Sequence, residues 1–102
     1  MKAVSDSREN EVSKRLREDE YCREVLHDLI SNFGYGQKVF NKPGYFAYVS
    51  DKLRHKPQGE RQERIEDAFK FLEKHGLVTS AEKWVDVNKE KAQKYVPRNL
   101  RS

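Results

Sequence analysis

Lys52, Arg54, His55 and Lys56 fall within five residues and lead into the start of a helix. Lysine and arginine meet phosphate oxygens, and the free backbone amides of a helix N-terminus favour the same group. A solvated basic loop is the competing reading. Just beyond stand Arg61 and Arg64, one helical turn apart, with Gln58 and Gln62 beside them. Arginine forks onto phosphate or a guanine edge, and glutamine onto adenine. Glu60, Glu63, Glu66 and Asp67 are interleaved with them. That pattern equally describes a solvated, ion-paired helix, and its carboxylates would repel phosphate.

Other cations are scattered. Gln37, Lys38 and Lys42 flank a short apolar pair, Val39-Phe40, and Lys83 lies in a polar turn beside Glu82. Lys89, Lys91, Lys94, Arg98 and Arg101 make the C-terminal segment basic; it is a second nucleic-acid contact or a solvated helix face. Lys14, Arg15 and Arg17 form a run balanced by Glu18, Asp19 and Glu20. Nothing suggests catalysis or metal binding. His27, His55 and His75 fall on three separate elements, and Gly34-x-Gly36 lacks the third glycine of a phosphate loop. The expectation is a non-enzyme with no metal, no cofactor and no evident small-molecule ligand.

The elements that would position these residues follow from periodicity. Val12 and Leu16, then Val25, Leu26, Leu29, Ile30 and Phe33, predict helix from about residue 11 to 33, continuous or broken near Asp19. The first half has too few apolar residues to be buried alone, so it is a solvated extension or part of a dimer contact. Gly34 ends the helix, and Val39-Phe40 is a short extended segment. Asn41 and Pro43 start a helix carrying Tyr45, Phe46, Val49 and Leu53. After a turn at 55–59, Glu60 opens the next helix, whose apolar face is Ile65, Ala68, Phe69 and Leu72. Gly76 suits a left-handed cap. Leu77-Val78, a turn at Ser80–Lys83, and Trp84-Val85-x-Val87 then form a hairpin. Asn88 caps a final helix to Val96, docked by Ala92 and Tyr95 and stopped by Pro97.

The 102 residues fit one domain, 11–97, between an arm at 1–10 and a basic tail at 98–102. Hydrophobic residues are 35% and charged residues 37%, so the core is small and a second copy is a plausible source of further burial. Net charge is +4 but mixed, 21 basic against 17 acidic, so a basic surface requires segregation in space. Cys22 is alone and reads as a small packed apolar residue. With no apolar run of membrane length and no signal-peptide core in MKAVSDSREN, the expectation is a soluble intracellular protein, in cytoplasm or nucleoid, or in a eukaryotic nucleus.

VLHDLI, YFAYVSDKL and RIEDAFKFLEKHGLV resemble, in that order, the three helices of the winged helix-turn-helix superfamily, over about residues 21–88. The resemblance implies an α+β, mostly helical fold, with N- and C-terminal helical extensions in this chain. It also implies that the third helix enters the major groove of double-stranded DNA. Gln58, Arg61, Gln62 and Arg64 are then base-contact candidates. Lys38, Lys42, Lys52, Arg54, Lys56 and Lys83 are the phosphate and wing candidates. The implied role is a homodimeric transcriptional regulator, with the terminal helices (Val12, Leu16; Ala92, Tyr95) as candidate dimer surfaces. The alternatives are a winged helix that docks onto protein, or a DNA-organising, replication or partition factor of a plasmid or virus.

Overall fold

Asp19 decides the first question of chain path. In the computed structural model, which describes residues 11–101, residues 11–18 are helical (α1) and the helix breaks at Asp19. There the backbone is extended (φ −115°, ψ 103°), and Asp19 Oδ1 accepts from the Tyr21 amide at 3.0 Å. Asp19 thereby caps α2, Glu20–Phe33. The arm expected at 1–10 lies outside the described residues. Gly34, with φ 78°, closes α2 by donating its N–H to the Ile30 carbonyl at 2.9 Å.

Strand β1, Gly36–Val39, leads to α3, Lys42–Lys52. Asn41 Oδ1 caps α3 by accepting from the Gly44 amide at 2.9 Å, and proline occupies the first turn. Helix α4, Gln58–Lys74, starts two residues before the expected Glu60, because Pro57 (φ −57°) stands at the N-cap and Gln58 and Gly59 enter the first turn. Its end is a Schellman motif. Gly76 at φ 78° donates to the Glu73 carbonyl (3.1 Å), and Leu77 donates to the Leu72 carbonyl (3.0 Å). Leu72 and Leu77 are both buried. Strands β2, Val78–Ser80, and β3, Trp84–Val87, follow. Asn88 caps the short α5, Lys89–Ala92, and single 3₁₀ turns cover Gln93–Tyr95 and Arg98–Leu100.

The sheet is antiparallel throughout, in the order β1-β3-β2. Val87 pairs with Gly36 on one side and Val78 on the other, which turns Val85 and Val87 to the interior together. The architecture is α+β and mostly helical, with one small three-stranded sheet. Leu26, Leu29, Val49, Leu53, Ile65, Phe69, Leu72, Leu77 and Val78 are fully buried among these elements. Aromatics enlarge this core: Phe69 lies 5.5 Å from Phe46 and 6.4 Å from Phe40, and Phe40 lies 5.7 Å from Phe33, ring centre to ring centre. The Tyr45 hydroxyl donates to the Val25 carbonyl at 2.7 Å, so a buried phenol finds its partner in α2. Cys22 is fully buried, and that burial pushes its thiol up to about 12.

One expectation is corrected. Val12 and Leu16 are not on a solvated extension or a free dimer face; they are buried within the chain's own core, as are Ala92 and Val96. The basic C-terminal segment is hydrogen-bonded to the body of the chain. The Tyr35 hydroxyl donates to the Leu100 carbonyl at 2.6 Å, and Arg101 Nε donates to the Val96 carbonyl at 3.1 Å.

Candidate functional site

Of the four base-contact candidates on α4, Gln58, Gln62 and Arg64 are exposed and Arg61 is half-buried. Arg61 Nη1 donates to the Ser50 carbonyl at 3.0 Å, and its Nε is buried with no partner among the described residues. The guanidinium therefore braces α4 against the last turn of α3, as a second donor to a carbonyl that also accepts from the Leu53 amide at 3.1 Å. Arg64 lies 3.8 Å from Glu60 and stacks over the Tyr21 ring at 5.1 Å, so it leans back onto α2. Although Arg61 and Arg64 are one turn apart, they are held by different neighbours and do not present one pair of forks. Gln62 Nε2 donates to Glu66 at 3.0 Å. The outward surface of α4 gathers Glu60, Glu63, Glu66 and Asp67 against Arg64 and Lys70. Four carboxylates against Arg64, Lys70 and the Arg15 that pairs with Asp67 at 3.0 Å leave this face acidic.

The basic stretch at 52–56 is largely matched by α2. Lys52 Nζ is 3.3 Å from Asp28 Oδ1, a carboxylate only 3% exposed. Asp28 Oδ2 has no partner among the described residues, so Lys52 compensates a buried charge. Burial, reinforced by neighbouring Asp28, pushes the Glu24 carboxyl up. His55 and Lys56 both reach Glu20, at 2.8 and 3.3 Å. Those bonds, His55 first, hold the Glu20 carboxyl below its usual range. Of these residues, Arg54 has no ionic partner among the described residues.

Two of the remaining candidates come together. The hairpin turn is bound to the β1–α3 junction: the Phe40 amide donates to the Lys83 carbonyl at 2.9 Å, and the Lys42 amide to the Glu82 carbonyl at 3.4 Å. Lys38 stands opposite Val85 in the same ladder, and its Nζ donates to the Tyr35 carbonyl at 2.9 Å. Lys42 Nζ lies 5.2 Å over the Phe69 ring, at one end of a groove of about 630 Å³ between α3 and α4. Lys42 and Lys83 thus meet at one corner of the molecule through their backbones, with Glu82 beside them, whereas the Lys38 ammonium turns back toward the start of β1. Beside them, Val39 is 85% exposed on the outer edge of the sheet, and Tyr48 is exposed on α3.

Arg23 was not among the expected contacts, and His27 stood only as one of three histidines on separate elements. The two are four apart on α2, and Arg23 Nη1 donates to the Leu16 and Arg17 carbonyls at 2.9 and 3.1 Å. Burial, helped by the Arg23 charge, lowers the His27 pKa. Among the described residues no cluster of His, Cys, Asp and Glu could hold a metal ion, and no helix is long and apolar enough to cross a membrane. Comparison with known proteins found no matching family model, curated protein or solved structure.

Proposed function

We propose that the chain is a winged-helix protein that binds double-stranded DNA. Lys38, Lys42 and Lys83 would contact phosphate, and on α4 exposed Gln58 would meet base edges directly, with Gln62 joining it on leaving Glu66. One observation carries this reading: the β2–β3 turn is hydrogen-bonded to the start of α3, beside the α3/α4 helix pair, in a sheet of order β1-β3-β2. A wing next to a helix-turn-helix is the arrangement the sequence resemblance implies. With Arg61 and Arg64 engaged and α4 acidic outward, phosphate contacts supply most of the affinity and base discrimination is weak. This favours a DNA-organising, replication or partition role over a strongly selective regulator. A homodimer would have to form away from Val12, Leu16 and Ala92, which are buried.

A second reading is favoured by the carboxylates of α4 and by exposed Val39 and Tyr48: a winged helix that docks onto a protein partner. Fluorescence anisotropy with a random duplex about two helical turns long separates the two. The DNA reading expects binding at about 50 mM salt that weakens steeply as salt rises. Absence of binding there leaves the protein-docking reading.

A further inference from the structure

A second cationic surface lies apart from the α4 and wing candidates, and two residues of the basic C-terminal segment, Lys94 and Arg101, belong to it. α1, α2 and the C-terminal segment enclose an open cleft of about 400 Å³. Arg17, Arg23, His27, Lys94 and Arg101 line it, and no aspartate or glutamate does. Two of its arginines are fixed by neutral acceptors. Arg23 Nη1 holds the last carbonyls of α1, and Arg101 Nε holds the Val96 carbonyl. A guanidinium has five N–H donors, so each keeps donors for a ligand and its full charge. Among the described residues no ion pair includes Arg17, Arg23, Lys94 or Arg101. Four like charges around one concavity oppose folding through their mutual repulsion, and a bound anion relieves it.

We propose that this cleft binds phosphate groups of a nucleic-acid backbone. Arginine forks match the tetrahedral oxygens of phosphate bidentately, and His27 and Ser13 at the cleft wall offer further hydrogen-bonding groups. The cleft is open, which suits a continuous backbone passing across it. The nucleic-acid source of the phosphate rests on the DNA-binding reading; the phosphate chemistry of the cleft does not.

The test uses the full chain, with inorganic pyrophosphate and a random duplex as separate probes. Pyrophosphate is expected to shift the amide resonances of Ser13, Arg23, His27 and Tyr95. The double variant Arg17→Gln/Lys94→Gln removes two side chains that make no hydrogen bond within the described structure. Each substitution should weaken pyrophosphate about tenfold, with an unchanged thermal melt showing that the fold is kept. On the duplex, the same variant should make the slope of log affinity against log salt shallower by about 1.8, or roughly 0.9 per contact. If pyrophosphate leaves those amides unmoved, the site is overturned. Pyrophosphate binding together with an unchanged duplex slope overturns the nucleic-acid source and leaves a site for free phosphate. If no duplex binds but pyrophosphate still occupies the cleft, the function proposed above fails while the phosphate chemistry stands.

Discussion

The cleft formed by α1, α2 and the C-terminal segment differs from the α4 surface in what holds its cations. In the cleft, Arg23 and Arg101 lean on backbone carbonyls and keep their charge. Around α4 and the turn before it, Arg64 meets Glu60, Lys52 meets Asp28, and His55 and Lys56 meet Glu20. Both regions are rich in lysine and arginine, yet only the first presents net positive charge. A count of basic residues therefore does not locate an anion-binding surface. The partner of each cation does, because a paired charge offers an incoming phosphate little attraction and must be unpaired first.

Reversing charge in the cleft should have the largest effect. Arg17→Glu with Lys94→Glu is expected to weaken duplex binding about a hundredfold, roughly 2.7 kcal/mol, measured by anisotropy at fixed low salt. Next comes Arg61→Ala, which acts on stability. Loss of the bond to the Ser50 carbonyl should cost about 1.5–3 kcal/mol in a urea titration, with duplex affinity changed no more than by Arg64→Ala. A large affinity loss with unchanged stability would instead restore Arg61 as a reader of DNA. Smaller still is the gain from Glu60→Gln with Glu63→Gln. Removing two carboxylates from the outward face should tighten duplex binding about fivefold, at about 0.5 kcal/mol each across hydrated distances.

Lys56→Ala should be nearly silent for the duplex, because Glu20 already matches that charge. Its readout is pH. The Glu20 carboxyl is depressed by His55 and then Lys56, so its stabilising contribution is present above the ordinary glutamate range and is lost as pH falls through the lowered folded value. Without Lys56, the Glu20 pKa should move back toward the ordinary range in an NMR titration. No movement would show that His55 alone sets it.

What was legible in the sequence was local. Asp19, Asn41 and Asn88 stand next to apolar helical stripes, and each caps a helix with its side-chain oxygen. Gly76 marks its Schellman turn because glycine takes φ 78° without strain. The hairpin follows from the alternation of Val85 and Val87. The site was less legible because pairing is set across the chain. Arg15 reaches Asp67 across 52 positions, and Tyr35 reaches Leu100 across 65. Nothing near Lys52 in sequence announces that Asp28 will be buried beside it, or near Lys56 that Glu20 will face it. Val12 and Leu16 looked too sparse to bury because the core that covers them is assembled from distant segments.

The most direct test of the account is the salt dependence of duplex affinity for the wild-type chain, Lys42→Gln/Lys83→Gln, and Arg64→Ala. The prediction is linear weakening with log salt, at a slope of about −0.9 per phosphate neutralised. The lysine pair should make that slope shallower and Arg64→Ala should leave it unchanged. Absence of duplex binding at about 50 mM salt, or a slope that responds to Arg64→Ala as strongly as to the lysine pair, would contradict it.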